Sequence, residues 1–272
     1  MQSLKDIANE IRIDLVKLHN RTHTPHIGSE FSCIDILVVL YFEIMDVTPE
    51  NFKSIGRDYF VLSKGHAAPA LYDILYRKGF ISDEIFNSYG TDGSALPEHP
   101  KREIFGVDVA TGSLGHGLSI AAGIAFVLRK LSPSNKVYVL LSDGECQEGS
   151  TIEAANFAGR YSLDNLVAII DNNGLIAYEK TDVVENIESV KQKFSSANWE
   201  LKEIDGHNYD QLATWLKSVP LKRDHPTLLV ANTIKGKGVR RMEGRIEWHY
   251  RSPTDEEAVA FVEELKGEKN EK

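Results

Sequence analysis

The fold is decided by the stretch VYVLLSDGECQEGSTIEAAN, residues 137–156. Its apolar run from Val137 to Leu141 predicts a buried strand, which ends just before the Asp-Gly pair of Asp143 and Gly144. Asp-Gly is a frequent turn dipeptide, so this loop taken singly favours a simple turn. In open α/β sheets, however, ligands bind beyond the carboxyl ends of the strands. The rest of the chain has to decide between a turn and a site.

Strand and helix patterns alternate along the sequence. Strands are predicted within 57–63 and over 137–141, 166–171, 198–204 and 227–232. Helices are predicted over 4–19, from an N-cap at Ser32 to Phe42, over 67–78, from Ser82 onward, and over 114–130, 149–160 and 208–218. A long loop is expected over 89–106 and a looser region over 174–195. This alternation predicts an α/β fold with a doubly wound, mainly parallel sheet and helices on both faces. We expect one domain over 1–272, with an acidic C-terminal helix and frayed tail over 255–272.

Composition restricts the class of protein. The 272 residues carry a net charge of −9, which argues against a nucleic-acid surface or an anionic membrane as the main partner. The longest apolar run, 36–42, is too short to span a bilayer. Cys33 and Cys146 have no metal-type spacing, and no signal peptide is expected at the acidic N-terminal segment. We therefore expect a cytoplasmic protein that binds neither nucleic acid nor membranes.

A second polar loop follows the next predicted strand, at Asp171-Asn172-Asn173-Gly174. Asp143 and Asn173 lie thirty residues apart, the length of one βαβ unit, so both loops should reach the same edge of the sheet. Carboxylate and amide oxygens suit Mg²⁺ or Ca²⁺, and Mg²⁺ commonly also binds phosphates. The two loops together predict a metal–diphosphate site.

Three further segments carry phosphate-binding chemistry. Lys64 follows a predicted strand in SKGH, the glycine-rich ATGSLGHG (110–117) opens a helix, and Lys235 lies in TIKGKG (233–238). Backbone amides of glycine-rich loops and lysine ammonium groups both bind phosphates, although such loops are often simply solvated.

Histidines form another group. Four of the nine lie in predicted loops beside glycine, proline or aromatic residues: His26, His66, His99 and His249. Neutral imidazole both donates and accepts, so four at one sheet edge suggest a hydroxyl-rich substrate or proton transfer. His207 and His225 are expected to be surface loop residues.

At these residues the sequence resembles the transketolase family, in its N-terminal, thiamine diphosphate-binding part. The resemblance runs from about residue 26 to 249 through HIGSEFSCIDIL, RDYFVLSKGHAAPALY, ATGSLGHGLSIAAGIA, SDG with DNN, and TIKGKG with EWH. It implies transfer of a two-carbon ketol unit between sugars or sugar phosphates. The implied cofactors are thiamine diphosphate, which supplies the carbanion chemistry, and Mg²⁺ or Ca²⁺.

The resemblance also implies residue roles. Asp143 and Asn173 are implied to supply metal ligands from their side chains, and Leu175 from its backbone carbonyl. Residues implied to bind the cofactor are Lys64, His66, Gly112, Ser113, Leu114, Gly144, Glu145, Asn173, Lys235 and His249. Implied catalytic histidines are His26, His66, His99 and His249. Glu148 and Glu153 are implied to link cofactor sites across a dimer interface.

Some positions depart from the family pattern. Ser142 stands where glycine is usual, Glu30 and Phe31 replace a small glycine-rich stretch, and Tyr250 stands where glycine is frequent. We expect these changes to lie near the substrate mouth, where they affect which sugar is used more than which cofactor.

Enzymes of the family also carry pyrimidine-binding and C-terminal domains, which the resemblance does not cover. The resemblance therefore implies a split transketolase, inactive alone, that needs a companion C-terminal subunit in a self-associating α2β2 assembly. Two alternatives stay open: another thiamine enzyme component, of the deoxyxylulose-phosphate synthase or dehydrogenase E1 type, and a non-catalytic cofactor-binding relic.

Overall fold

A five-stranded sheet is the centre of the computed structural model, which describes residues 2–267. The strands are β1 (Tyr59–Leu62), β2 (Val137–Ser142), β3 (Leu166–Asn172), β4 (Glu200–Asp205) and β5 (Thr227–Asn232). Their spatial order is β1-β2-β3-β5-β4, and every neighbouring pair is parallel. All five strands predicted from the sequence form.

Ten α-helices surround the sheet within the described residues. They are α1 (Leu4–Thr22), α2 (Ile27–Val39), α3 (Ala68–Arg77), α4 (Asp83–Asn87), α5 (Gly117–Leu131), α6 (Gly149–Arg160), α7 (Thr181–Val184), α8 (Ile187–Ser196), α9 (Tyr209–Lys217) and α10 (Asp255–Gly267). A π-helical turn, Leu40–Ile44, continues α2, and short 3₁₀ turns lie at Gly65–Ala67, Gly144–Gln147 and Ile246–His249. The expected helix at 255 forms. The end of the expected frayed tail, 268–272, lies outside the described residues.

Both faces of the sheet are buried, because its side chains alternate between two separate cores. Tyr138 and Leu140 face a core formed with α1, α2, α3, α9 and α10, whereas Val139 and Leu141 face a core formed with α5, α6 and α8. All six residues of β2 are buried, which explains its continuous apolar run. The predicted doubly wound architecture is confirmed, while the expectation of a single domain stays a prediction.

Three boundary predictions are wrong. The second helix begins at Ile27 and not after Ser32, because the Ser32 hydroxyl donates to Asp171 Oδ2 at 2.6 Å instead of capping a helix. The glycine-rich segment stays non-helical until Gly117, three residues beyond the predicted start. The region expected to be loose, 174–195, contains α7 and most of α8.

The sheet register brings the strand ends together. Ser142 pairs with Asp171, and Asn172 pairs with Asn232. The loops that follow β2, β3 and β5 therefore leave the sheet side by side at its carboxyl edge. Among residues 2–267, no helix is long and apolar enough to cross a membrane.

Candidate active site

A cavity of about 390 Å³ lies at this carboxyl edge. The predicted site residues that line it are His26, Lys64, His66, His99, Gly112, Leu114, Asp143, Gly144, Glu148, Asn173, Leu175 and His249. It is also lined by Ser29, Ser142, Gln147, Ile176, Ala177 and Tyr178, which were not predicted as site residues. The structure thus brings residues from distant segments into one pocket.

Four predicted site residues do not line the cavity. Lys235 is buried directly behind it and reaches His249, while Ser113 and Glu153 are exposed. Glu145 is fully buried and accepts hydrogen bonds from Ser63 Oγ and, at 3.0 Å, from the backbone amide of Ser142. Burial raises the pKa of Glu145. Glu145 therefore supports the loop after β2 from behind.

Asp143 is held in place by three donors. Its Oδ2 accepts from the Gly174 amide at 2.8 Å and from Thr181 Oγ1 at 2.9 Å, and its Oδ1 accepts from the Gly144 amide at 2.8 Å. Burial, and secondly the nearby Asp171 carboxylate, raise the pKa of Asp143 to about 6. A buried carboxylate with this shift gains stability from a cation at the pocket wall.

Asn173 and Leu175 present oxygens from the loop after β3. Asn173 Oδ1 accepts from the Leu175 amide at 3.2 Å, which fixes the loop, and the Leu175 carbonyl accepts from Lys235 Nζ at 3.3 Å. Asp143, Asn173 and Leu175 therefore line one pocket, and together they carry a carboxylate, a side-chain amide oxygen and a backbone carbonyl. This is an all-oxygen donor set of the kind that Mg²⁺ and Ca²⁺ prefer.

Asp171 supports the site, although no role was predicted for it. It is completely buried and accepts from Lys64 Nζ, from Ser32 Oγ at 2.6 Å and from Thr233 Oγ1. Burial alone would raise the pKa of Asp171, but Lys64 outweighs it and the pKa is lowered. Lys64 also donates to the Ser29 carbonyl at 2.8 Å. Its ammonium is thus fixed at the pocket floor by partners from α2 and β3.

Lys235 joins two loops of the site. Its Nζ lies 2.9 Å from His249 Nδ1, 3.3 Å from the Leu175 carbonyl and 3.4 Å from the Ile176 carbonyl. Since an ammonium only donates, His249 Nδ1 accepts and the proton of the neutral ring is on Nε2. Burial, and then Lys64, lower the pKa of Lys235 to about 8.

Three of the predicted histidines form a triangle. The ring centroids of His26, His66 and His249 lie 5.0–5.7 Å apart. Burial, followed by neighbouring cationic groups, lowers the pKa of His26 to about 4 and of His249 to about 3, and it lowers that of His66 well below 6.5. All three rings are therefore neutral near pH 7, so each can donate one hydrogen bond and accept another.

His26 holds its place through its backbone. It adopts a left-handed conformation with φ of +83° directly before α2, and its amide donates to the His249 carbonyl at 2.9 Å. This contact joins the start of α2 to the 3₁₀ turn that carries His249. His99, the fourth histidine, packs beside Gly112, where an added Cβ would lie 3.4 Å from the ring.

Two family departures are not at the mouth. Glu30 and Phe31 are fully buried in α2, and Glu30 Oε2 contacts His19 Nε2 at 2.9 Å. The prediction that they lie near the substrate is wrong, because both side chains point into the core. Tyr250 is 65% exposed and its ring lies 4.8 Å from that of His249, so it does lie at the rim. Ser142 has a local role, since its amide and hydroxyl both bond Glu145 Oε2.

Comparison with known proteins decides the family. The sequence profile of the transketolase, thiamine diphosphate binding domain matches residues 3–272. The chain belongs to the transketolase family. It is 40% identical to a protein of Phocaeicola vulgatus that is named as one of the subunits of an apulose-4-phosphate transketolase, over 97% of this chain and 94% of that protein. It is 36% identical to the 6-deoxy-6-sulfo-D-fructose transketolase subunit SqwG of a Clostridium species, over 97% of each chain.

Solved transketolases share its fold. The transketolase of Campylobacter jejuni superposes with a TM-score of 0.91 at 31% identity, over 98% of this chain and 43% of that chain. The match to relatives named as transketolase subunits is nearly full-length, whereas this chain spans less than half of the Campylobacter enzyme. The chain therefore corresponds to the N-terminal, thiamine diphosphate-binding part of transketolases, and over nearly its full length to proteins named as transketolase subunits.

The pocket residues fit the family's cofactor. An added Cβ on Gly144 would lie 2.8 Å from Ile176 Cγ2, so only glycine leaves the loop after β2 this close to the opposite wall. Within the described part of the chain, Gln147 Nε2 is buried and has no hydrogen-bond partner, although the residue lines the cavity. A buried donor without an acceptor is costly, and a bound polyanion would supply one. The oxygen donor set, the lysines and this amide all suit a metal diphosphate.

Some site residues gave no usable signal in the sequence. Gln147, Ile176 and Tyr178 stand in segments with no motif-like spacing, and only the path of their loops brings them to the cavity. Asp171 did give a signal in the sequence, because a carboxylate at the end of a wholly apolar strand needs a buried cationic partner. Lys64, which follows β1 two strands away in the sheet, is that partner.

Proposed function

We propose that this chain is the N-terminal subunit of a two-subunit transketolase. With a companion C-terminal subunit it transfers a two-carbon ketol unit from a ketose to an aldose, using thiamine diphosphate and Mg²⁺ or Ca²⁺. The observation that carries the proposal is the meeting of Asp143, Asn173 and the Leu175 carbonyl with three neutral histidines in one pocket. Family membership supports the transferase reaction.

The chain's own residues hold the cofactor in this proposal. The carboxylate of Asp143, the amide oxygen of Asn173 and the Leu175 carbonyl would hold the divalent cation, because all three residues line the cavity and carry hard oxygen ligands. The positive charges of Lys64 at the pocket floor and of Lys235 directly behind the pocket favour the diphosphate there. Gly112, Ser113, Leu114 and Gly144 form its cradle, and Glu145 supports that cradle from behind. Thiamine diphosphate supplies the carbanion stabilisation that ketol transfer requires.

The histidines handle the sugar. The neutral rings of His26 and His66 donate to and accept from sugar hydroxyls, and His99 lies beside them in the same cavity. Since Lys235 occupies Nδ1 of His249, that ring offers its Nε2–H. It can therefore donate a hydrogen bond to a sugar oxygen.

Partner surfaces extend from the site. Phe126 of α5, Phe157 of α6 and Tyr161, which directly follows α6, form an exposed aromatic cluster, with ring centroids 4.6–5.8 Å apart. Exposed Glu153 lies on α6, and Glu148 is the residue directly before this helix. We therefore assign the surface formed by α5 and α6 to self-association in an α2β2 assembly. The companion subunit, with the pyrimidine-binding domain, covers the open cavity. We place the complex in the cytoplasm.

The substrate is a ketose that carries an anionic group. The two relatives at 40% and 36% identity are named for apulose-4-phosphate and for a sulfo-sugar, and both names denote an anionic sugar. The sugars in these two names, and not their charge, favour a specialised sugar pathway over the pentose phosphate pathway. Tyr250 at the rim narrows the approach to His249 and contributes to the choice of sugar.

The test combines the purified chain with a companion of the family's pyrimidine-binding type. Thiamine diphosphate and Mg²⁺ are added, and ketol transfer from a panel of phosphorylated and sulfonated ketoses is followed with an aldose phosphate acceptor. We expect activity with both chains and none with this chain alone. Activity of this chain alone refutes the split assembly. Use of pyruvate instead of a ketose points to another thiamine enzyme. Calorimetry that detects no cofactor binding, with or without the companion, supports a relic.

A further inference from the structure

Asp35 is a buried carboxylate of α2 that does not line the cavity. Its oxygens accept from Arg12 Nη1 at 3.1 Å and Nη2 at 2.7 Å, from His207 Nδ1 at 2.6 Å and from the Tyr209 hydroxyl. Burial alone would raise the pKa of Asp35, but Arg12 and His207 outweigh it and hold the pKa well below its usual range. Asp35 is therefore an ionised group shared by α1, α2 and the start of α9.

Arg12 and His207 each extend from Asp35 to the same loop, residues 233–238, which we call the lysine loop. Arg12 Nε donates to the Lys237 carbonyl at 3.0 Å. The Ile234 amide donates to His207 Nε2 at 2.9 Å. Because a backbone amide is always the donor, His207 Nε2 must accept, and its ring proton is on Nδ1, where it faces Asp35. The prediction that His207 is a surface loop residue is wrong, since only 13% of its side chain is exposed.

These two contacts flank Lys235 in the chain. The bond from the Ile234 amide to His207 fixes the residue before Lys235, and the bond from Arg12 fixes the carbonyl of Lys237, two residues after it. Gly236 and Gly238 adopt φ of +78° and +96°. Because glycine has no Cβ and can adopt many backbone conformations, the lysine loop needs outside contacts to hold one of them. Lys235 in turn contacts His249 Nδ1 and the Leu175 carbonyl. A path of direct contacts therefore leads from Asp35 to the cavity.

We propose that Asp35, Arg12 and His207 form a positioning unit that sets the place of Lys235 and, through it, of His249 in the cofactor pocket. None of its three residues lines the cavity. Its role in binding rests on the proposed function, since it acts on a lysine assigned to the diphosphate. An ion pair that served only to join α1 to α2 would not need His207 to accept from the lysine loop.

The first test uses the wild-type full chain without ligand. Nitrogen-15 NMR of the histidine rings reports which nitrogen carries the proton. We expect His207 as the Nδ1–H tautomer and His249 as the Nε2–H tautomer at neutral pH. A His207 ring protonated on Nε2 cannot accept from Ile234 and overturns the proposal without any variant.

The second test uses variants of the same full chain. His207→Ala removes both contacts, His207→Gln keeps one donor and one acceptor, and His225→Ala is the control because it lies before β5, at the opposite end of the sheet. We expect His207→Ala to shift the His249 ring nitrogen signals, His207→Gln to restore them largely, and His225→Ala to leave them unchanged. Unshifted His249 signals in His207→Ala overturn the proposal. Should that variant not fold, the tautomer measurement on the wild-type chain decides the proposal.

Calorimetry with thiamine diphosphate and Mg²⁺, with the companion present, gives the binding readout. Loss of a supporting partner behind a ligand typically weakens affinity by about 10- to 100-fold, and we expect His207→Ala near the lower end. Equal affinity in His207→Ala and wild type overturns the role in cofactor binding. If wild type binds no thiamine diphosphate, the proposed function fails, and the NMR measurement alone decides whether the unit positions Lys235.

Discussion

Lys64 and Asp171 form an ion pair in which neither side chain has any solvent exposure. The lysine follows β1 and the aspartate belongs to β3, so the pair crosses beneath the end of β2 at the pocket floor. Lys64 also donates to the Ser29 carbonyl at 2.8 Å, which ties α2 to the same point. This one contact therefore fixes three segments that line the cofactor pocket.

Breaking this pair should destabilise the fold strongly. Asp171→Asn leaves the Lys64 ammonium buried without its counter-charge, and losing one partner of a buried ion pair costs about 3–5 kcal/mol. Urea unfolding measures the free energy. The control is Glu188→Gln, which breaks an exposed pair with Lys191 and should cost less than about 1 kcal/mol. An equal decrease in the free energy of unfolding in the two variants would show that the buried pair stabilises the fold no more than the exposed pair does.

Removing the Asp143 carboxylate should abolish metal-dependent cofactor binding. Asp143→Asn keeps the shape of the side chain but removes the negative charge at the oxygen donor set, so calorimetry should detect no Mg²⁺-dependent binding of thiamine diphosphate. Asp164→Asn, at the opposite end of the sheet, is the matched control and should bind normally. Wild-type affinity in Asp143→Asn would refute the metal assignment.

The free energy of unfolding should decrease as the pH is lowered, because the folded chain disfavours protonation of the buried histidines. The pKa of His26 is lowered from 6.5 to about 4 by burial and then by neighbouring cationic groups, so the unfolded chain binds more protons between these values. The stabilisation is complete above about pH 6.5 and is lost as pH falls towards 4. Urea midpoints at stepwise lower pH measure this. Asparagine at position 26 can adopt the left-handed backbone conformation, so His26→Asn should make the urea midpoint depend less on pH than it does in wild type. If the two proteins showed the same pH dependence, the lowered pKa of His26 would be contradicted.

Two helical glycines should respond to alanine in opposite directions. An added Cβ on Gly159 would lie 1.6 Å from the Ala197 carbonyl oxygen, whereas one on Gly123 meets nothing within 4 Å. Gly159→Ala should therefore cost about 3 kcal/mol or more, because backbone must move. Gly123→Ala should gain up to about 1 kcal/mol of helix propensity. Thermal unfolding of the two variants checks the contrast, and a stable Gly159→Ala would show that α6 and the segment after α8 separate easily.

Much of this site was predictable from linear order. The apolar runs before Asp143 and Asn173 predicted two strands, and thirty residues between them predicted one crossover to a neighbouring strand. The register that pairs Ser142 with Asp171 confirms this placement. Because parallel strands end at one edge, the spacing alone was enough to bring the two loops together.

The sequence by itself determined the alternating strands and helices, the polar loops at strand ends and the motifs of the family, because each depends on residues close together in the chain. Only the tertiary structure decided that Glu30 lies in the core, that Asp171 neutralises Lys64, and that His207 supports the lysine loop. These contacts join residues 11, 107 and 27 positions apart. Their energies come from burial and from the alignment of donors with acceptors, which the packing of distant segments sets and local sequence does not encode.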